Sequence, residues 1–299
     1  MVSYCQMIKS TEIIDNIFKY DVPLQRYTSF KTGGVAEIFA EPENISELRK
    51  VLQFCENEQK RIFIFGNGSN ILVDDKGVQG VVIHLGGVDF KKVKRDGKYI
   101  FSKAGVKLPR LIRKSASWGL GGLEVLAGIP GTVGGAVKMN AGGKYGNISE
   151  TISSVTTMTF DGEIKNISRK DIEFTYRGCN LNKQIVIEVE FLLKESGKEE
   201  ILERMDEIYK EKKRKQPLAT FSAGCIFKNT PYFKAGELIE KAGLKGKKVG
   251  GAIVSKKHAN FIVNTENATS ADILKLIKII KETVKKKYDI SLETEIQIW

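Results

Sequence analysis

The chain has 299 residues, of which 41% are hydrophobic and 9% aromatic, and its net charge at pH 7 is +12. Its apolar runs are short and its start lacks the basic and apolar pattern of a secretory signal. We therefore expect no transmembrane helix and no export, and we predict a cytoplasmic location. The cysteines lie far apart without a Cys-x-x-Cys pair and only two histidines are present, which argues against a zinc site or a disulfide framework.

The positive charge has two interpretations: nucleic-acid binding, or a lysine-rich surface with local pockets for anionic small molecules. The lysines are spread along the chain, and the one dense run, KEKKRK at 210–215, ends an amphipathic helix. Cations also suit the negative end of a helix dipole. We favour the second interpretation.

The N-terminal region predicts an α/β unit. Helical patterns cover Thr11–Phe18 and residues 44–57, the second with Asn44 as N-cap. The apolar run RIFIF at 61–65 predicts a buried strand, which leads directly into the turn GNGSN.

From 71 to 104 the pattern changes to short β runs, for which we expect antiparallel pairing. Asp96 and Gly97 form the predicted two-residue turn of a hairpin. A helix is expected from Pro109 to Trp118, with the proline at its first position.

Residues 119–146 hold ten of the 29 glycines, a density typical of backbone held close to another group. A second Asp-Gly hairpin follows at 155–167, and 184–193 predicts the last strand of this region. A long amphipathic helix is expected over Glu199–Lys215, and we place a domain boundary just before it.

The C-terminal part alternates short strands with helices near 235–242 and 270–287. The second helix begins with a capping box of Thr269 and Asp272. The strands are expected in GCIF, GAIV and NFIVN and in the final LETEIQIW.

Two glycine-rich segments could bind a cofactor. Gly66, Asn67, Gly68, Ser69 and Asn70 follow a buried strand, and the exposed N–H groups of such a turn form a nest for a phosphate or pyrophosphate. A tight turn without a ligand is the alternative. The second segment, GIPGTVGG followed by Asn140, favours a long dinucleotide that lies along the backbone.

Eight motifs in this order carry a resemblance: RYTSFKTGG, GNGSN, GIPGTVGGAVKMNAGG, YRGC, SAGCIFKN, AGELIEKAGLKG, VSKKHANFIVN and LETEIQIW. They resemble the UDP-N-acetylenolpyruvoylglucosamine reductase family, in its shorter form without a tyrosine-bearing loop. The resemblance implies an α+β fold with a two-part FAD-binding domain of the vanillyl-alcohol-oxidase (PCMH) type and a C-terminal α+β substrate-binding domain. We place the first at 1–198, with an α/β piece at about 1–75 and an antiparallel β piece at about 76–198, and the second at 199–299, with its last strand returning to the active site.

The resemblance also implies cofactors and a reaction. FAD binds without a covalent bond, and NADPH is the reductant for a UDP-sugar enolpyruvyl ether, which takes a hydride at its β carbon. The implied FAD-binding residues are Gly66, Asn67, Gly68, Ser69, Asn70, Gly128, Pro130, Gly131, Thr132, Gly135, Ala136 and Asn140. The substrate-binding candidates are Lys228, Asn229, Arg214, Tyr145 and His258. Tyr145 is offset by one position from the family pattern, and a purely structural role is the alternative for His258.

Hydride addition to the β carbon places negative charge on the α carbon and its carboxylate, so the protein must stabilise an enolate and deliver a proton. Arg177 matches the catalytic arginine and can pair its planar guanidinium with the carboxylate. Glu295 matches the catalytic glutamate, although alternation along a strand places Glu293 on the same face.

Cys225 stands where the family commonly has serine, the proton donor to the α carbon. A thiol, with a reference pKa of about 8.5, is a more acidic donor than an alcohol. It must stay protonated, and Lys228 is three residues away. In a strand the two side chains would lie on opposite faces.

Two alternatives remain open. A flavin oxidase of a small alcohol or lactone could use the same FAD domain, and a basic nucleic-acid-binding protein would need no flavin. We predict no nucleic-acid, membrane or metal partner and assume a monomer.

Overall fold

A computed structural model describes residues 17–230 and 232–299. The helix expected at Thr11–Phe18 lies outside these residues except at its end, where Phe18 begins a strand. The α-helices of the described chain are α1 (Ile45–Asn57), α2 (Leu108–Ser117), α3 (Val133–Lys138), α4 (Lys198–Lys215), α5 (Ala235–Lys241) and α6 (Ser270–Tyr288). Among the described residues, no helix is both long and apolar enough to cross a bilayer.

The strands are β1 (Phe18–Pro23), β2 (Val35–Ala40), β3 (Ile62–Phe65), β4 (Ile71–Leu72), β5 (Val78–His84), β6 (Val93–Asp96), β7 (Tyr99–Lys103), β8 (Leu120–Gly121), β9 (Gly142–Gly143), β10 (Gly146–Asn147), β11 (Ile152–Thr159), β12 (Ile164–Ser168), β13 (Phe174–Thr175), β14 (Gly178–Cys179), β15 (Gln184–Leu192), β16 (Lys194–Glu195), β17 (Lys248–Val249), β18 (Ala252–Val254), β19 (Ile262–Asn264) and β20 (Gln297–Ile298). Single 3-10 turns occur at Leu24–Arg26, Asp89–Lys91, Glu124–Leu126, Ile148–Glu150 and Arg169–Asp171.

The described chain divides into two compact units that are not continuous in sequence. Unit 1 contains residues 17–22, Glu37–Asn67 and Gln79–Tyr209. Unit 2 contains Pro23–Ala36, Gly68–Val78 and Lys210–Trp299. Two segments from the N-terminal part of the chain therefore belong with the C-terminal part, which a linear boundary before residue 199 does not describe.

Unit 1 is built around two sheets. The first has the order β1-β2-β5-β3, and β3 and β5 pair in parallel from Ile62↔Val81 to Phe65↔His84. The antiparallel pairing expected from residue 71 onward is therefore wrong for β5. The run VVIHL is buried on both faces, as strands of parallel sheets are.

The second sheet of unit 1 is antiparallel, with the order β12-β11-β15-β7-β6. Both predicted Asp-Gly hairpins are confirmed in it. In the first, Asp96 pairs with Tyr99, so the turn is Gly97 and Lys98 and lies one residue later than predicted. Gly97 has a φ of 55°, a left-handed value that glycine adopts without steric cost.

The helix predictions for unit 1 hold with small shifts. Asn44 caps α1 by accepting a hydrogen bond from the N–H of Glu47, and Leu48, Leu52 and Cys55 are buried on its inner face. Pro109 is the second residue of α2 rather than the first. The long helix expected at 199–215 is α4, which extends into unit 2 at Lys210.

Unit 2 packs α5 and α6 with the antiparallel sheet β17-β18-β19. The strands expected in GAIV and NFIVN and both helices are confirmed. GCIF is not a regular strand, since only Phe227 forms a bridge there, with Thr294. LETEIQIW is a strand only at β20, which pairs in parallel with β4.

Candidate functional site

Within unit 1, the start of the first glycine-rich segment lies against the second. The turn that starts at Gly66 follows β3, and a Cβ on Gly66 would lie only 2.6 Å from Oγ1 of Thr132. Gly128 and Gly131 have φ values of 79° and 119°, which side chains rarely allow. The structure therefore brings together residues from both segments that the sequence predicts to bind one cofactor.

His84 supports this turn, a role that sequence reasoning missed. Its Nδ1 lies 2.9 Å from Oε1 of Glu41, and its ring also hydrogen bonds to the backbone of Gly66. Burial lowers the pKa of His84, although the Glu41 carboxylate opposes the shift. The only local sequence signal for this role is a histidine that directly follows the apolar run VVI in β5.

Asn140 is a buried residue with one unsatisfied oxygen. Its Nδ2 donates to the carbonyl oxygen of Thr175 at 3.0 Å, but its Oδ1 has no hydrogen-bond partner among the described residues. A buried acceptor without a donor costs about 1–3 kcal/mol. An N–H or O–H group of a bound cofactor would satisfy it, so this residue fits the predicted FAD site.

Arg177 lies in a short hairpin of unit 1, between β13 and β14. Thr175 pairs with Gly178, so Tyr176 and Arg177 form the turn. Arg177 has a φ of 59°, and its guanidinium lies 4.9 Å from the centre of the Tyr176 ring. The turn presents a half-buried cation that is stacked on an aromatic ring.

In unit 2, the predicted Cys225 segment runs beside the C-terminal segment. The Glu295 N–H donates to the Ile226 carbonyl at 2.7 Å, and the Lys228 N–H donates to the Glu293 carbonyl at 2.9 Å. Residues 225–228 are therefore antiparallel to 293–295 around the Phe227–Thr294 bridge.

In this register the two glutamates have different partners. Glu293 lies opposite Lys228, and its Oε2 is 3.4 Å from Nζ in an ion pair whose glutamate side chain is 78% exposed. Glu295 lies opposite Ile226, the residue that follows Cys225 in the sequence, and its side chain is half-buried. Asn70 Nδ2 donates to the Glu295 carbonyl at 3.2 Å, which joins a predicted cofactor residue to a predicted catalytic one. The chain bends at residues 295 and 296, directly after the Phe227–Thr294 bridge.

Asn260 fixes the Cys225 segment and was also missed. Its Oδ1 accepts the Phe227 N–H at 2.9 Å, its Nδ2 donates to the Phe227 carbonyl at 2.8 Å, and its own carbonyl accepts the Ile226 N–H at 2.8 Å. Asn260 is buried, so these bonds are shielded from water. It belongs to the motif KKHANF, which gives no sign of this partner 33 residues away.

The remaining candidates occupy different places. Arg214 is exposed near the end of α4, and Tyr145 lies at the tip of the β9–β10 hairpin under the Lys144 ammonium, 4.9 Å from its ring centre. Asn229 accepts the Ala235 N–H at 3.0 Å, at the start of α5. His258 packs edge-on against Phe261, and burial lowers its pKa. Its geometry is that of a packed side chain, and the substrate role stays a prediction.

A surface cavity of about 500 Å³ lies elsewhere in unit 1. It contains none of the predicted site residues. Lys92, Lys103 and Glu188 are among its lining residues, and Lys103 pairs with Glu188 at 2.9 Å. Ile45, Phe90 and Phe101 also line it beside these charged side chains, and we assign it no ligand.

Proteins of known activity resemble this chain over nearly its whole length. The UDP-N-acetylenolpyruvoylglucosamine reductase of Clostridium kluyveri is 41% identical over 294 residues, which cover 97% of this chain and 96% of the relative. The protein of that name from Syntrophomonas wolfei is 40% identical over 282 residues, with 94% of each chain covered. The chain belongs to the UDP-N-acetylenolpyruvoylglucosamine reductase family.

Family models and a solved structure extend this assignment. Residues 36–168 match the FAD binding domain, and residues 216–299 match the C-terminal domain of UDP-N-acetylenolpyruvoylglucosamine reductase. The crystal structure of the reductase from Thermus caldophilus aligns with a TM-score of 0.81 at 38% identity, covering 94% of this chain and 98% of that one. The predicted α+β fold, with an FAD-binding domain and the C-terminal domain of this reductase family, is confirmed. The individual site residues stay predictions.

Proposed function

We propose that this protein reduces UDP-N-acetyl-3-O-(1-carboxyvinyl)glucosamine to UDP-N-acetylmuramate with NADPH, a step of peptidoglycan precursor synthesis. The observation that carries the proposal is the identity of about 40%, over 94% or more of the chain, with reductases of this name. FAD, when bound, would supply the hydride-transfer chemistry between NADPH and the β carbon of the enolpyruvyl group. A cytoplasmic location stays a prediction.

Arg177 binds the substrate carboxylate in this proposal. A guanidinium presents two parallel N–H groups that match a carboxylate, and it accelerates the reaction only if it binds the enolate more tightly than the ground state. The Tyr176 ring, 4.9 Å from the guanidinium carbon, supports this, because such a contact limits the orientations open to the guanidinium. Glu295 orients the groups around the enolate.

Cys225 donates the proton to the α carbon. Its backbone is held through Ile226 and Phe227 by Asn260, so the thiol projects from a fixed segment. The positive charge of Lys228, which would favour the thiolate, is paired with Glu293.

A single-turnover experiment tests this assignment. The flavin is first reduced with NADPH, and its reoxidation by the enolpyruvyl sugar nucleotide is then followed by absorbance. We expect Cys225→Ser to keep much of the reoxidation rate, whereas Cys225→Ala should slow it by about 10²–10⁴-fold, the usual contribution of a general acid. Flavin reduction should be unchanged in both.

Cys55→Ala is the matched control, because it removes a thiol that is buried on α1, where burial raises its pKa to about 11. Normal turnover by Cys225→Ala would exclude the thiol as the donor.

The alternative functions predict different results. The reduced flavin of an oxidase would be reoxidised rapidly by oxygen and not by the sugar nucleotide. A nucleic-acid-binding protein would purify colourless and bind nucleic acid with a steep salt dependence.

A further inference from the structure

The hairpin that carries Arg177, defined as residues 174–179 and called here the arginine hairpin, holds an unfavourable backbone conformation. Arg177 has a φ of 59°. Left-handed values at residues other than glycine cost free energy and persist only where surrounding contacts impose them. The hairpin has only two pairs of facing residues, and further contacts reach it from outside.

These contacts come from residues 138–140, at the C-terminal end of α3. Asn140 Nδ2 donates to the Thr175 carbonyl at 3.0 Å on one strand, and the Cys179 thiol donates to the Lys138 carbonyl at 3.7 Å on the other. Lys138 Nζ also donates to the Leu181 carbonyl at 2.5 Å, just beyond the hairpin. The segment that contains Asn140, a predicted cofactor-binding residue, thus contacts both strands of the arginine hairpin.

Asn140 differs from the other two anchors because only one end of its amide is satisfied. Its side chain is buried with an exposure of 8%, and its Oδ1 lacks a partner among the described residues. Its backbone is also left-handed, with a φ of 41°. The next residue, Ala141, donates its N–H to the carbonyl of Ala136, one of the predicted FAD-binding residues. Asn140 therefore lies within the predicted cofactor-binding segment.

We propose that Asn140 is a positioning residue that couples cofactor binding to the placement of Arg177. Its Oδ1 accepts a hydrogen bond from an N–H or O–H group of the bound flavin nucleotide, while its Nδ2 holds the arginine hairpin through Thr175. Cofactor binding then fixes the amide and, through it, the turn that carries the guanidinium. The inference rests on the proposed function for the role of Arg177, but the coupling itself requires no substrate.

Hydrogen–deuterium exchange of the arginine hairpin tests the coupling, with the full-length protein measured with and without FAD. In the wild-type protein we expect FAD to slow exchange of the hairpin amides by about 2- to 10-fold, the effect of one hydrogen bond of ordinary strength. Asn140→Asp keeps the shape and tolerates the left-handed backbone, but it removes the N–H donor to Thr175. The variant should exchange faster than wild type already without FAD, and FAD should no longer slow it.

Asn166→Asp is the matched control. Asn166 lies on β12, where its Nδ2 donates to Oγ1 of Thr156 at 3.1 Å, away from the hairpin. This variant should behave as wild type in both states. Because Lys138 and Cys179 keep their contacts in Asn140→Asp, the hairpin should loosen without unfolding.

Two results would overturn the inference. Hairpin exchange that FAD leaves unchanged in the wild-type protein would exclude the coupling. Unchanged exchange in FAD-free Asn140→Asp would exclude the hold on Thr175, even if that variant bound no FAD. Failure of the proposed function would appear elsewhere, as wild-type reduced flavin that the enolpyruvyl sugar nucleotide does not reoxidise.

Discussion

At the scale of single residues, chemistry depends on how each group is held. Arg177 combines a cation with a left-handed backbone and a neighbouring aromatic ring 4.9 Å from its guanidinium carbon. Glu293 and Glu295 are the same residue type two positions apart, yet one forms an exposed ion pair with Lys228 and the other is half-buried with its N–H bonded to Ile226. Residue type alone thus leaves the role open, and the backbone register supports Glu295.

Replacing Arg177 with lysine should lower the rate of flavin reoxidation by the enolpyruvyl substrate by about 10²–10³-fold, because an ammonium cannot form two parallel hydrogen bonds to a carboxylate. Flavin content and flavin reduction by NADPH should stay normal. Arg113→Lys, an exposed change on α2, is the control. Loss of bound flavin in Arg177→Lys would instead point to a structural role.

The two histidines predict a pH dependence of stability. Burial lowers the pKa of both His84 and His258 in the folded protein, whereas in the unfolded chain they titrate near 6.5. Below about pH 6.5 the unfolded state therefore binds more protons, so the free energy of unfolding should fall as the pH is lowered from 7.5 to 5.5. Urea unfolding at pH 7.5 and at pH 5.5 measures this change in the free energy of unfolding.

The double variant His84→Gln/His258→Gln should lose most of this dependence, since the sequence contains no other histidine. Carboxylates titrate at lower pH and contribute little in this window. An equally steep decrease in the double variant would assign the effect to other groups.

At the scale of elements, helix starts follow local rules but also use distant partners. The predicted capping box of α6 is present, with Thr269 accepting the Asp272 N–H and Asp272 accepting the Thr269 N–H. In addition, the N–H groups of Ser270 and Ala271 donate to the carboxylate of Asp75 at 2.8 and 3.0 Å. The box could be predicted from four consecutive residues, whereas Asp75 lies about 195 positions earlier.

Thr269→Ala should lower the free energy of unfolding by about 1 kcal/mol, the usual effect of removing an N-cap side chain. Thr269→Ser is the matched control and should be nearly neutral. The backbone N–H of Thr269 lowers the pKa of Asp272, so the stability that this carboxylate adds is present at neutral pH and is lost as the pH falls through its folded pKa. Urea unfolding at pH 7 measures the effect of Thr269→Ala, and an unchanged midpoint would contradict that prediction.

At the scale of the whole molecule, the two compact units interleave along the sequence. Phe30 and Leu72, from the first quarter of the chain, are fully buried in the same core as Ile226 and Phe227. The Phe30 carbonyl also accepts Nδ2 of Asn264 at 2.9 Å. The C-terminal part alone therefore lacks side chains that complete its core.

A fragment of residues 199–299 should consequently fail to unfold cooperatively in urea, although its helices can form in part. In the full-length chain, Phe30→Ala should lower the free energy of unfolding by about 3–5 kcal/mol, as expected for a fully buried phenylalanine. A fragment with a sharp unfolding transition and dispersed amide resonances would show that the C-terminal part folds without the N-terminal segments.

The sequence by itself determined the helices other than α3, the two Asp-Gly hairpins, the family and the cofactor class. Capping boxes, Asp-Gly turns and apolar periodicity act between residues that are close in the chain, and eight ordered motifs identify the family without any structure. The tertiary structure decided the parallel pairing of β5 with β3, the composition of the two units, the different partners of Glu293 and Glu295, and the hydrogen bonds made by His84, Asn140 and Asn260. These features depend on hydrogen bonds and packing between residues that are distant in sequence, for which a local pattern carries no signal.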